Sequence, residues 1–163
     1  MLQSLLLLLI HIFVLKGMSS HDRMISEVKS GGNVTPDMNS TANKNKTILI
    51  RGCDPVMAAR AGEFLPPLLG FPSLISCTDD DDFIAKLKSQ KWDIIFFAPG
   101  ACRWSAQKAP IPGGNKSTKG WGLVEYRELV KETQGEGAII IETVEEKNIV
   151  PLLLDALNKV SSR

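Results

Sequence analysis

Histidine is nearly missing from this chain: there are two, His11 and His21, and none after residue 21. A domain built from the remainder therefore has no Ser-His-Asp or Cys-His catalysis, no histidine general base and no histidine-containing metal site. Aromatic residues are scarce at 6%, and Tyr126 is the one tyrosine. No apolar run reaches 18 residues, so nothing reads as a full transmembrane helix. An excess of one charge is also lacking. The 19 Lys and Arg nearly balance 18 Asp and Glu, a formal net charge of +1. That gives no general pull toward nucleic acid or an anionic membrane, and no nucleic-acid partner is expected. There is no C-x-x-C, no G-x-G-x-x-G and no G-x-x-x-x-G-K-[ST], so no dithiol motif, dinucleotide fingerprint or phosphate loop is present, and no cofactor is expected.

What is there suits one globular domain behind a distinct N-terminus: 163 residues, 44% of them apolar. Leu5–Leu15 reads LLLLLIHIFVL, an apolar run of 11 residues. It is too short to span a bilayer and fits the core of a signal peptide. Small residues follow at Gly17, Ser19 and Ser20, so residues 1–19 are expected to be a signal-like segment cleaved near Ser19. No Lys or Arg precedes the run and no A-x-A site follows it; an uncleaved anchor, or a true start at Met18 or Met24, is the alternative. Residues 20–46 are polar and lack a sustained period, which reads as a disordered linker. They hold three glycosylation sequons, at Asn33, Asn39 and Asn45, and a fourth lies at Asn115. The expected location is the secretory lumen or outside the cell, with no membrane span after cleavage.

Residues 47–163 are expected to form the domain. Strand-like stretches at 47–52, 71–77, 92–98 and 138–142 alternate with helical ones. The first helix opens at Asp54 or Pro55, where a missing N–H does no harm, and Pro66-Pro67 should bend or end it. Asp79–Asp82 starts the second helix, with Phe83, Ile84 and Leu87 inward. The stretch 99–120 reads as a long loop, followed by helices over about 121–134 and 149–160, the latter capped by Asn148. Strand–helix alternation implies a small doubly wound α/β fold, a four-stranded parallel sheet in the flavodoxin-like order 2-1-3-4 with helices on both faces. Ligands in such sheets sit beyond the carboxyl ends of the strands, where the order reverses. Here that is the crevice between the first and third strands, flanked by Gly52, Cys53 and Asp54 on one side and by Gly100, Arg103 and Trp104 on the other.

Three cysteines, Cys53, Cys77 and Cys102, end strands in this scheme. Neighbouring strands lie about 4.8 Å apart, so Cys53 is expected within disulfide reach of Cys77 or Cys102, and those two not of each other. Cys53 at a helix mouth is also a candidate nucleophile, its thiol pKa lowered by the helix field. Asp79–Asp82 read foremost as acids at a helix N-terminus; with Asp54, Asp79 and Asp80 also make a candidate cation site. The stretch 99–120 carries Arg103, Lys108, Lys116 and Lys119 and no acid. With Trp104 it suits an anion, a glycan or a protein partner, and an Asp54–Arg103 pair with Trp104 as a pocket wall is expected. A receiver-type phosphoacceptor fails, because the third strand ends Phe97-Ala98-Pro99-Gly100 without an aspartate. The function expected is a binding or regulatory module using that crevice. The alternatives are a small enzyme using Cys53 or the Asp54 and Asp79–Asp82 carboxylates, and an inactive receiver-like domain.

Overall fold

The computed structural model describes residues 42–160. Within it a four-stranded, all-parallel sheet has the order β2-β1-β3-β4, built from β1 (Thr47–Arg51), β2 (Ser73–Cys77), β3 (Ile94–Phe97) and β4 (Ile139–Glu142). Five α-helices accompany it: α1 (Pro55–Leu68), α2 (Asp80–Ser89), α3 (Pro99–Ala106), α4 (Leu123–Gln134) and α5 (Ile149–Lys159). This is the α/β fold and strand order that the alternation implied. The signal-like run and the sequons at Asn33 and Asn39 lie outside the described residues. Among the described residues no helix is long and apolar enough to cross a membrane.

The central strands are apolar on both faces, as strands covered on both sides must be. Leu49, Ile95 and Phe97 join Phe83 and Leu87 of α2 and Tyr126 and Val130 of α4 in one core. The alternate positions Ile48, Ile50, Ile94 and Phe96 are buried from the other face, where right-handed crossovers place α1 and α5. In register, Arg51 lies level with Cys77 on one side and Phe97 on the other.

Helix starts follow the chemistry of the first turn. Asp54 caps α1, accepting from the Val56 and Met57 N–H groups, with Pro55 at the first helical position. Asp79 caps α2 by accepting from Asp82 N–H at 2.9 Å. Asn148 stands at the N-cap of α5 but makes no side-chain capping bond. Helix α1 passes through Pro66-Pro67 and stops one residue later, at Leu68. The two prolines lack the N–H groups that would answer the Gly62 and Glu63 carbonyls, both on exposed residues. Gly70 and Phe71 then adopt φ of +74° and +60°, and this left-handed pair delays β2 to Ser73.

Two boundaries differ from the sequence reading. Of the polar segment assigned to a linker, the described residues 42–46 form a turn that packs on the domain. Asn43 is buried, and its Nδ2 donates to Leu69 O at 2.7 Å. Its N–H donates to Gly70 O, and Lys46 O accepts from Ser73 N–H. A polar stretch thus serves as the hydrogen-bonding partner of the α1–β2 turn, and hydropathy is blind to that. The stretch read as a loop over 99–120 begins with α3. Pro99 takes the first helical position, Ala101 and Cys102 face the core, and the Pro-Gly pair that signals a turn here opens a helix.

Candidate functional site

The crevice between β1 and β3 is closed by direct contact. Cys53 Sγ sits over Gly100, where an added Cβ would come within 2.6 Å of it. Gly100 is therefore present because the thiol occupies the space of a side chain. Asp54 turns back to cap α1 and makes no pair with Arg103. Arg103 instead donates from Nε to Val144 O at 2.9 Å and pairs with Glu146 at 3.2 Å. It lies on α3 about a sixth of a turn from Gly100 and reaches the β4 side rather than β1, so the expected Asp54–Arg103 pair does not form. Trp104 is on the Gly100 face of α3, one turn on, and is 43% exposed.

Beside that contact the structure places a buried ion pair that the sequence reading missed. Arg51 and Asp80 side chains are both 0% exposed and 2.9 Å apart. The guanidinium also donates to Gly52 O, Thr78 O and Pro112 O. Tyr126 Oη donates to the Asp80 carboxylate at 2.8 Å and stacks edge-on against Trp121. Asp80 N–H is answered by Gly113 O at 2.8 Å. The segment after α3 is thereby tied down over the ends of β1 and β2. Gly113 has φ of +88° and its Cα faces the Thr78 carbonyl, with no room for a side chain. Asn115 braces the same segment, donating to Asp81 Oδ1 at 2.7 Å and accepting from the Ser117 and Thr118 N–H groups. The Asp79–Asp82 run is thus a cap, a buried counter-ion and a loop brace. Among the described residues no three His, Cys, Asp or Glu side chains group to hold a metal ion, so the candidate cation site at Asp54, Asp79 and Asp80 does not assemble. An alternating strand pattern treats Arg51 as an outward residue. The signal that could have flagged it is a lone arginine in the last position of an otherwise apolar central strand.

All three cysteines are free, which corrects the expected disulfide. Strand spacing permits a bridge, but each thiol has a different neighbour. Cys77 points into the core toward Asp82, Cys53 lies past the strand end against Gly100, and Cys102 sits inside α3 donating to Phe97 O at 3.1 Å. The lowered pKa expected of the Cys53 thiol is corrected as well. Burial raises its pKa, with Asp54 adding to the rise and only Arg51 opposing it. Burial, with Asp82 beside it, pushes Cys77 up to about 12. Burial pushes Cys102 up to about 11.

An open cleft of about 400 Å³ lies further along the carboxyl edge, between α3, the start of α4 and the end of β4. Cys102 and Ser105 form one wall, Leu123 and Arg127 the second, Glu142 and Val144 the third. Arg127 and Glu142 face each other in a two-pronged pair, Nε to Oε1 and Nη2 to Oε2, both 2.6 Å. The carboxylate raises the Arg127 pKa further. Ser105 Oγ accepts from Leu123 N–H at 3.0 Å and so fixes α3 against the first turn of α4. Glu125 accepts from Gly122 N–H at 2.9 Å, which steadies the same turn. Comparison with protein-family profiles, with curated proteins and with solved structures finds no match.

Proposed function

We propose that the domain is a ligand-binding module working at the carboxyl edge of its sheet, and that the α3–α4–β4 cleft is its site. The observation that carries this reading is the cleft itself: an open, shallow depression lined by apolar side chains and a few polar groups. The β1–β3 crevice is a poorer place for a ligand, because Cys53 against Gly100 leaves no gap there. The catalytic alternative is less well supported. No histidine lies in residues 42–160, the Cys53 thiol is held protonated, and Asp54, Asp79 and Asp80 are engaged in caps and an ion pair. The test is amide NMR of the ¹⁵N-labelled chain against a panel of sugars, nucleotides, inorganic phosphate, organic acids and amines. Shifts clustered on Ser105, Leu123, Thr143 and Val144 with at least one class are expected. Hits confined to other surfaces, or none, would remove the cleft as the site.

We propose secretion on the N-terminal apolar run and the neighbouring sequons alone, since the free thiols supply no disulfide in its favour. Material secreted from eukaryotic cells should begin near Ser19 or Ser20 on N-terminal sequencing. A start at Met1 would refute cleavage.

A further inference from the structure

The cleft has more donors than its own residues consume. Arg127 spends Nε and Nη2 on Glu142, and among the described residues Nη1 makes no hydrogen bond. The Ser105 hydroxyl accepts one bond, from Leu123 N–H, and among the described residues its proton goes to no protein acceptor. Both groups are donors, one of them on a guanidinium whose charge Glu142 already balances, so a ligand here accepts hydrogen bonds from them. They also limit its charge, because the Glu142 carboxylate sits 2.6 Å from the same guanidinium and would repel a dianion more than a monoanion. The fork already shows carboxylate-matched geometry, with two parallel N–H···O bonds to Glu142. The remaining wall is apolar, made of Leu123, Val144, Ala106 and the protonated Cys102. A volume of about 400 Å³ is at the lower end for small-molecule sites.

We infer that the cleft takes a small monocarboxylate with a short branched or linear apolar body, the carboxylate held by Arg127 and the Ser105 hydroxyl and the body laid on Leu123 and Val144. This rests on the binding-module reading and names its ligand class. Glu142 then acts as a competing internal carboxylate that occupies the arginine fork when the site is empty and sets the affinity.

The experiment titrates the full ¹⁵N-labelled chain with 3-methylbutanoate, its uncharged amide and 3-methylbutyl phosphate. The carboxylate should shift the Ser105, Leu123 and Val144 amides and bind at least about tenfold more tightly than the amide, the worth of one charge-assisted hydrogen bond. Arg127→Gln should abolish the shifts. Glu142→Gln should have the opposite effect and tighten carboxylate binding several-fold by freeing the fork, a gain that a merely structural pair would not produce. Equal binding of the amide, or stronger binding of the phosphate, at the same amides would overturn the ligand class and leave the module reading standing. No response at the cleft to any of the three would overturn this inference, while the module reading would still be judged by the broader panel.

Discussion

Replacing Asp80 by alanine is expected to lower the unfolding free energy by about 3–5 kcal/mol, the usual cost of leaving a buried charge without its partner. Arg51 is 0% exposed, and its guanidinium is balanced by the Asp80 carboxylate 2.9 Å away. Three backbone carbonyls would still accept from it, but none carries the charge that balances it. Tyr126 Oη would lose its acceptor at the same stroke. Removing both charges should hurt less than removing one: an Arg51→Met, Asp80→Leu double variant should be more stable than Asp80→Ala, because no charge is then stranded. Urea unfolding followed by circular dichroism gives the comparison, with the slope against denaturant checked for constancy. A double variant as unstable as Asp80→Ala would mean that the geometry of the segment over Pro112 and Gly113, and not the stranded charge, sets the cost. An Asp80→Ala protein as stable as the parent would contradict the account outright.

The legible part of this molecule was the part governed by period and by turn chemistry. Apolar runs such as Ile94–Phe97, the caps Asp54 and Asp79, and the alternation of strands with helices were sufficient for the sheet order. Segment 99–106 was misread because the rule that Pro-Gly breaks structure competes with the rule that proline suits a first helical position. Only the apolar contacts of Ala101 and Cys102 decide between them. The site was less legible for a different reason. Spacing along β1 and β3 put Cys53 beside Gly100, but function depends on where side chains point. A rotation of about 100° per residue along α3 carries Arg103 away from Asp54 to Val144 and Glu146. The Arg51–Asp80 pair joins residues 29 apart in sequence, and Arg127–Glu142 joins a helix to a strand end. Neither has a local pattern, because side-chain pairing across elements leaves no period to read.

Alkaline solution is expected to unfold this protein more steeply than its net charge suggests. Cys77 and Cys102 are held protonated, up to about 12 and about 11. Tyr126 is raised by burial and by donating to Asp80, against the opposing charge of Arg51. In the unfolded chain the thiols ionise near pH 8.5 and the phenol near pH 10. Above those values the unfolded state has released protons that the folded state retains, so stability falls as pH rises. The contribution of these groups is fully present below about pH 8.5 and is lost as pH climbs through the folded-state values. Each group adds a slope of about 1.4 kcal/mol per pH unit once its unfolded form is ionised. The summed loss between about pH 9 and pH 11 is on the order of 6 kcal/mol, a large part of the stability of a small domain. Urea midpoints measured across that range should fall continuously. A Cys77→Ala, Cys102→Ala double variant, less stable at neutral pH because it loses buried sulfur, should show a clearly shallower decline. If parent and variant decline in parallel, the two thiols are not the groups that resist ionisation, and the core around Cys77 and Cys102 is more open to water than their burial implies.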